Sequence, residues 1–144
     1  MAAIDCPFCR IVAGELPSTK VYEDDKVVAI MDIAPWTKGH CLVIPKAHSA
    51  NIFEVAEDDV VEVIKAARRL AGAIKKALAA DGLNLLQSNG HAAWQSVDHF
   101  HLHLIPRWFS DSLIPPVVPS EGNPESIARN AQRIVDALAQ SEQL

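Results

Sequence analysis

The 144-residue sequence lacks long apolar runs and dense clusters of basic residues. No stretch approaches the roughly 20 apolar residues that a membrane-spanning helix needs, so a membrane partner is not expected. Residues Met1 to Asp5 contain neither a basic segment nor an apolar run, and a secretory signal is not expected. The net charge of −5 disfavours long nucleic acid, which is bound through many clustered cations. A small phosphorylated ligand needs only a few donors and is compatible with this charge.

Cysteine is also scarce, with Cys6, Cys9 and Cys41 as the only three. An odd count without a secretion signal argues against a disulfide framework and favours a reducing cytoplasm. In that compartment the Cys6-x-x-Cys9 pair is more often a metal or redox site than a structural disulfide. Cys41 begins the apolar run 41–44 and is predicted to be a small buried hydrophobe.

Apolar residues make up 49 % of the chain, enough for the core of a single domain over residues 1–144. Alternating apolar runs bounded by turn residues predict strands, and three-and-four spacing predicts helices. Expected strands cover 21–23, 26–32, 40–44, 83–89 and 99–106; a helical turn is expected at 10–14, a long helix at 57–80, and a second helix from Asn123-Pro124. This order predicts an α+β domain with an antiparallel sheet.

Both predicted helices are amphipathic, so each presents one face to a core. The face of the long helix is predicted to contain Val60, Ile64, Ala67, Ala71, Ile74 and Leu78. That of the second helix contains Ile127, Ile134 and Leu138. Acidic residues at 57–59 and lysines at 75–76 suit the dipole of the long helix.

Three of the six histidines alternate with apolar residues in the segment 99–105. In a strand, His99, His101 and His103 share one face about 6.6 Å apart, and the apolar residues between them face the core. Such a face suits either an open metal site that activates water or a covalent histidine nucleophile for phosphorus. Spacing alone does not choose between them.

The surrounding sequence resembles the histidine triad (HIT) family in three blocks. Residues 95–105, QSVDHFHLHLI, resemble its signature of alternating histidines after Gln-Ser or Gln-Thr. Residues 32–48, DIAPWTKGHCLVIPKAH, and the opening 6–17, CPFCRIVAGELP, are similar to two further blocks. The resemblance covers residues 6–107 and leaves the tail 108–144 uncovered. It implies a five-stranded antiparallel sheet with one long central helix and a C-terminal helix, assembled as a homodimer whose sheets extend across the interface.

The resemblance also implies a nucleotidyl-histidine intermediate on His101, with the main-chain carbonyl of His99 holding the second ring nitrogen as N–H. His103 is expected to bind a phosphate oxygen, and Ser96 and Gln95 to lie near the phosphate and leaving group. His40 matches a histidine behind the nucleophile strand, although a hydrogen-bonded core histidine is an equal alternative. The implied catalytic residues are His101, His103, Ser96, Gln95 and His40.

Nucleotide binding is implied at the residues that match the family's ribose, base and phosphate contacts. Asp32 matches the acidic acceptor of both ribose hydroxyls, a task suited to an acceptor-only carboxylate. Asn89 matches a phosphate-side position, although Asn before Gly also makes an ordinary turn. Each residue of the implied base pocket could equally belong to the core. The implied nucleotide-binding residues are Asp32, Ile33, Asn89, Phe8, Ile11, Gln95, Ser96, His101 and His103.

Some branches of the family bind zinc through the Cys-x-x-Cys opening. The matching ligands here are Cys6, Cys9, His48 and His99. Two cysteines and two histidines make a closed tetrahedral site, which is structural and takes no part in the chemical step.

The sequence departs from the family pattern before Gln95, where Trp94 and Ala93 replace the usual small glycines. The Gln-Ser prefix is similar to branches that cleave nucleoside phosphoramidates, and the ending Pro106-Arg107-Trp108 to those that cleave dinucleoside polyphosphates. The resemblance therefore implies a hydrolase or transferase acting at the α-phosphate of a small purine nucleotide conjugate. A nucleotide-binding regulatory module with little activity and a metallohydrolase using His99, His101 and His103 are the alternatives.

Overall fold

The computed structural model describes residues 5–141, so the expectation about a leader at residues 1–4 lies outside the described range. The strands are β1 (Lys20–Glu23), β2 (Val27–Met31), β3 (Cys41–Pro45), β4 (Gly82–Leu86) and β5 (Leu102–Arg107); the helices are α1 (Pro7–Val12), α2 (Glu57–Leu78) and α3 (Pro124–Ser141), with a 3-10 turn at His91–Ala93. None of the helices within 5–141 combines the length and apolar character of a transmembrane span.

The five strands form one antiparallel sheet in the order β1-β2-β3-β5-β4, which confirms the predicted α+β class. Strand β3 pairs on one side with β2 and on the other with β5, placing Leu42 opposite His103. The hairpin between β1 and β2 is closed by Asp24, whose side chain accepts hydrogen bonds from the amides of Lys26 and Val27. Strand β5 is an interior strand, paired with β3 on one side and β4 on the other, and it follows directly after His99 and His101.

Each face of the sheet packs against a different helix. On one face, strand residues including Val43, Leu102 and Leu104 form a core with Val63 and Ala67 of α2. On the other face, the core contains Val28, Ile30, Leu42, Ile44, Cys6, Phe8 and Cys9, the last three from the α1 region. Since Phe100, Leu102 and Leu104 face α2, the intervening histidines face α1, as the alternation predicts.

The predicted apolar face of α2 is partly wrong. Ile64 is 50 % exposed, whereas Val63, Ala66, Ala67 and Ile74 are buried. Val60, Ala67, Ile74 and Leu78 lie in or against the core as predicted, and Val63, Ala66 and Leu70 belong to the buried side although they were not predicted there. The helix ends at Leu78. The next residue, Ala79, has a left-handed backbone conformation, and the backbone N–H at this cap donates a hydrogen bond to the carbonyl of Lys75.

Three other boundaries differ from the prediction by three residues, and the remaining strand boundaries differ by at most one. The first helix spans Pro7–Val12 instead of 10–14, because the Cys6 thiol accepts the Cys9 amide and starts the helix earlier. The strand predicted at 99–106 begins only at Leu102, since the Phe100 amide donates to the carbonyl of Ser49 and not to a sheet partner. The strand predicted at 83–89 ends at Leu86. Cys41 is buried as predicted.

The chain divides into two compact units, residues 1–112 and 113–144. The first unit contains the sheet with α1 and α2. The second contains α3, which begins at the predicted Asn123-Pro124, where Asn123 accepts a hydrogen bond from the amide of Ser126. No residue of α3 is buried, and its apolar residues Ile127, Ile134 and Leu138 are exposed. A single domain over 1–144 stays a prediction.

Candidate active site

A cavity of about 480 Å³ opens between α1, the end of β2 and the histidine segment. This volume lies in the range of small-ligand sites. Its lining includes Phe8, Ile11, Ile30, Asp32, Ile33, Leu42, Ser96, His101 and His103. Most of the predicted base, ribose and phosphate residues are therefore together around one space, with an apolar end at α1 and imidazoles at the other.

His101 is fixed in one tautomer by the backbone. Its Nδ1 lies 2.6 Å from the main-chain oxygen of His99, an acceptor, so Nδ1 carries the proton and Nε2 has a free lone pair. The ring packs edge-on against Phe8, with the ring centroids 5.0 Å apart. Burial is the main cause that lowers the pKa of His101, which keeps the ring neutral near neutral pH. A neutral, correctly oriented imidazole is a competent nucleophile.

A hydrogen bond from His40 determines the tautomer of His103. The Trp36 amide donates to Nδ1 of His40 at 3.0 Å, so the proton of a neutral His40 lies on Nε2. That Nε2–H points to Nδ1 of His103 at 2.9 Å, with an Asp32 carboxylate oxygen 3.5 Å away. The proton of His103 therefore lies on Nε2, where it can be donated to a ligand oxygen. His40 is buried and acts behind His103 instead of lining the cavity.

The charge state of His103 predicts a pH dependence of stability. Burial, with His101 and His40 nearby, lowers the pKa of His103 to about 4. An unfolded histidine titrates near 6.5, so below that pH the unfolded chain binds a proton that the folded chain refuses until about pH 4. The stability supplied by this site is thus complete above the unfolded pKa and is lost as the pH falls from about 6.5 to about 4.

We expect His103→Asn to lose less stability than the native chain between about pH 7 and about pH 4.5. The measurement is the urea midpoint at both pH values, with His91→Asn as the matched control because His91 lies on an exposed turn. Equal pH losses in the native chain and His103→Asn would contradict this assignment.

Gln95 and Asn89 lie beside the cavity but do not line it. The Gln95 side chain is buried, accepts the Gly90 amide, and donates to the carbonyls of Ala50 and Val97. Asn89 accepts the Ile52 amide and exchanges hydrogen bonds with Gln87. The side-chain amides of Gln95 and Asn89 bind groups of the protein itself and stabilise the loop 87–97. Their expected contacts with a phosphate stay predictions. Ser96, held by this loop, is exposed and lines the cavity.

Trp94 departs from the family's glycines at a position where glycine is favoured. Its φ of +68° lies in the left-handed region, which costs a residue with a Cβ about 1–2 kcal/mol. The residue ends the 3-10 turn directly before Gln95 and its indole is exposed. A glycine would adopt this backbone conformation without that cost.

The predicted metal ligands Cys6, Cys9, His48 and His99 converge on one point. The cysteine sulfurs lie 3.3–3.6 Å from histidine Nδ1 atoms, and the two Nδ1 atoms are 3.2 Å apart. A tetrahedron with Zn–S near 2.3 Å and Zn–N near 2.0 Å has edges of roughly 3.3–3.8 Å, so the donors match in type and spacing. Nε2 of His99 donates to the Pro45 carbonyl at 2.8 Å, which leaves Nδ1 unprotonated for a metal.

This orientation of His99 excludes the metallohydrolase alternative. Both of its nitrogens are directed to the cysteine cluster and the Pro45 carbonyl, away from a common point with His101 and His103. The three histidines lie on the same side of the segment 99–103, and only His103 is in β5; they serve two sites.

Asp32, His40 and His103 form a second group with metal-ligand atoms close together. Here the Trp36 amide occupies Nδ1 of His40, so the Nε2 atom that faces the group carries a proton. The group is therefore accounted for as a hydrogen-bonded chain.

Residues 13–109 match the HIT domain. The chain belongs to the HIT family. It is 47 % identical over 106 residues to Protein hit of Bacillus subtilis, covering 74 % of this chain and 73 % of that protein. It is 39 % identical over 104 residues to the adenosine 5'-monophosphoramidase hnt1 of Schizosaccharomyces pombe, covering 72 % and 75 %.

Solved structures of HIT proteins share the fold. A Streptococcus mutans protein superimposes with a TM-score of 0.89 at 41 % identity, covering 94 % of this chain and 87 % of that one. A zinc-bound histidine triad protein from Mycobacterium smegmatis gives 0.74 at 34 % identity, covering 96 % and 98 %. Together with the sequence matches, these superpositions confirm the fold and the family predicted from the three blocks.

Sequence reasoning missed Trp36, which sets the tautomer of His40 through its amide and stacks its indole near His103. The amide contact has no sequence signal because every residue except proline offers an amide. The exposed indole did have a signal, a tryptophan inside the block that contains Asp32 and His40.

Proposed function

We propose that this HIT protein cleaves a purine nucleotide conjugate at its α-phosphate and releases a nucleoside monophosphate through a nucleotidyl intermediate on His101. The observation that carries the proposal is the 2.6 Å hydrogen bond from Nδ1 of His101 to the His99 carbonyl. It leaves Nε2 as a free nucleophile on the wall of a nucleotide-sized cavity.

In the first step Nε2 of His101 attacks the α-phosphorus, a P–N bond forms, and the bond from phosphorus to the leaving group breaks. The leaving amine or phosphate takes a proton, for which the Ser96 hydroxyl on the cavity wall is the donor that the proposal assigns. Water then attacks phosphorus and gives a proton back to the Ser96 oxygen, the P–N bond to His101 breaks, and the monophosphate departs. The Nε2–H of His103 donates a hydrogen bond to a phosphate oxygen as negative charge develops, and His103 keeps its proton.

The rest of the nucleotide fits the apolar end of the cavity. Phe8, Ile11 and Ile33 would contact the base there, and Ile33, 99 % exposed, is free for such a contact. Asp32 would accept the ribose hydroxyls through carboxylate oxygens that already accept the Ala34 amide and face His40. The relative from S. pombe carries the name of an adenosine 5'-monophosphoramidase, which supports a phosphoramidate as the first substrate to try.

The test is incubation of the native chain with adenosine 5'-phosphoramidate, followed by product analysis and mass spectrometry of the protein. The reaction should be quenched in denaturant at alkaline pH because P–N bonds hydrolyse in acid. We expect AMP in solution and a transient AMP adduct on the peptide that contains His101. AMP formation with an adduct on a different residue would contradict the mechanism, and the absence of any product would contradict the activity.

The metal of the four-ligand cluster is proposed to be zinc. The tetrahedral spacing of two sulfurs and two nitrogens supports this choice, as does the zinc-bound relative from M. smegmatis. The ion would join the start of α1 to the histidine segment and supply rigidity.

The three buried cysteines, none of which forms a disulfide, also support the proposal of a reducing, cytoplasmic setting.

A homodimer is proposed through one of the two edges of the sheet. Strand β4 forms that edge and β1 forms the other, and Leu85 of β4 is 54 % exposed on the α2 face, opposite Leu104. Exposed Val61 and Ile64 of α2 add apolar surface. We expect the native chain to sediment at twice the mass of one chain and Leu85→Lys to shift it toward monomer, because a buried lysine at an interface is costly. A native chain that sediments as a monomer would contradict the dimer.

A further inference from the structure

Four aromatic rings form a row from the apolar end of the cavity to the surface. The centroid distances are 5.0 Å from Phe8 to His101, 4.9 Å from His101 to His103, and 6.5 Å from His103 to Trp36. The planes of His103 and Trp36 are 25° apart, which is a stacked arrangement. The proposed function uses the first three rings and leaves the indole of Trp36 without a role.

The loop that carries Trp36 is held at several points. The Trp36 amide is bound to His40, the Thr37 hydroxyl donates to the Pro106 carbonyl at 2.8 Å, and the Asp32 amide donates to the His40 carbonyl at 2.9 Å. Gly39 closes the loop with φ +81°, and a Cβ there would collide with the side chain of Leu78. Because of these contacts, the backbone of Trp36 is held in a fixed position, and ligand binding would lose little conformational entropy in ordering the indole.

The indole of Trp36 is 52 % exposed although it is large enough to fill a core. It stacks on His103 and meets the edge of His40, with the centroids 5.9 Å apart. With the ring centroids 6.5 Å apart the indole overlaps His103 only in part, and half of its surface is exposed, so part of the aromatic surface beside His103 is open. This open part lies next to the imidazole that is assigned to the phosphate.

We infer that Trp36 determines specificity by stacking on an aromatic ring in the group that leaves phosphorus. The inference rests on the proposed function. With the base at Phe8 and phosphorus at His101, a substituent beyond phosphorus passes His103 and leaves the cavity toward Trp36, which lies outside the cavity lining. The ligand class is therefore a nucleoside phosphate conjugate whose leaving group contains a flat ring about three bonds beyond the cleaved atom.

Two phosphoramidates of AMP test this, one with 2-phenylethylamine and one with 2-cyclohexylethylamine. Both release a primary alkyl amine of similar size and basicity, and only the first contains a ring that can stack. We expect the native chain to prefer the phenyl compound. In Trp36→Ala, kcat/KM should fall about tenfold for the phenyl compound, mostly through KM, and less than about twofold for the cyclohexyl compound.

Trp36→Phe keeps an aromatic face and should retain most of the preference. Trp108→Ala is the matched control, since Trp108 lies under the Lys38 ammonium and bonds to the Ala79 carbonyl, and its loss should not change the ratio of the two substrates. Equal losses on both substrates in Trp36→Ala would assign the residue to positioning His103 and overturn the inference. So would equal losses accompanied by a changed sedimentation mass, which would make Trp36 an interface residue.

The outcome separates this inference from the proposed function. A native chain that cleaves both compounds through His101 with the same kcat/KM overturns the role of Trp36 and leaves the proposed function intact. A native chain that cleaves neither compound and no other AMP conjugate overturns both.

Discussion

His101→Ala is expected to lower turnover of adenosine 5'-phosphoramidate by about four orders of magnitude or more, as for other enzymes that lose a covalent nucleophile. The physical reason is the orientation of the imidazole, whose Nδ1 is engaged with the His99 carbonyl and whose Nε2 is free. Among the described residues that line the cavity, no other side chain offers an equivalent neutral nitrogen, since His103 carries its proton on Nε2 because of the hydrogen bonds from Trp36 to His40 and from His40 to His103. Single-turnover kinetics with detection of AMP measure the effect.

A second variant separates chemistry from structure. In His101→Asn the side-chain amide nitrogen can still donate to the His99 carbonyl, but no nucleophilic nitrogen remains. We expect the same loss of turnover with a thermal midpoint close to that of the native chain. His91→Ala is the matched control because His91 lies in the exposed 3-10 turn outside the cavity lining, and it should keep full activity. Turnover within tenfold of native in both His101 variants would exclude the nucleotidyl-histidine mechanism.

The sequence could predict the sheet, its helices and the grouping of the histidines because these depend on local patterns. Strand alternation placed Phe100 and Leu102 toward α2 and the imidazoles toward α1, as the two cores show. The family blocks predicted the four metal ligands, which lie far apart in the sequence and together in the structure.

The roles of individual polar side chains were harder to predict because main-chain groups decide them. The tautomers of His40 and His99 depend on the Trp36 amide and the Pro45 carbonyl, and backbone groups are the same at every position. The carbonyl that orients His101 was expected only because the family resemblance implied it. Gln95 looked like a phosphate contact, yet its amide is used by three backbone groups of the loop. Such partners follow from the fold and carry no signal in the residue type.

The stripe of α2 shows a second limit. Hydrophobic periodicity locates the apolar side of a helix to within about one residue, and Ile64 satisfied the pattern as well as Val63 did. Val63 is the buried residue of the two because it faces the sheet. Ile64 lies on the neighbouring surface, which the partner chain would cover in the proposed dimer.

Cys6→Ala is expected to abolish metal binding and to lower the thermal midpoint by about 10 °C or more, since loss of a structural metal is among the largest single-site effects. Cys6 both caps α1 through the Cys9 amide and contributes a sulfur to the four-ligand cluster. Losing the ion would free the start of α1 from His99, which is two residues from the proposed nucleophile. Metal analysis of protein purified with zinc should show one ion per native chain and close to none in the variant.

Cys41→Ala is the control for the loss of a buried thiol. Cys41 is buried on the α2 face, where its thiol donates to the Gly39 carbonyl, and it is not among the cluster ligands. Its variant should keep one zinc per chain and should respond to a chelator as the native chain does, with a lowered midpoint. The Cys6→Ala variant should not respond to the chelator, because it has no ion to lose. Full zinc content in Cys6→Ala, or a native midpoint that chelation leaves unchanged, would show that the four side chains do not hold a structural metal.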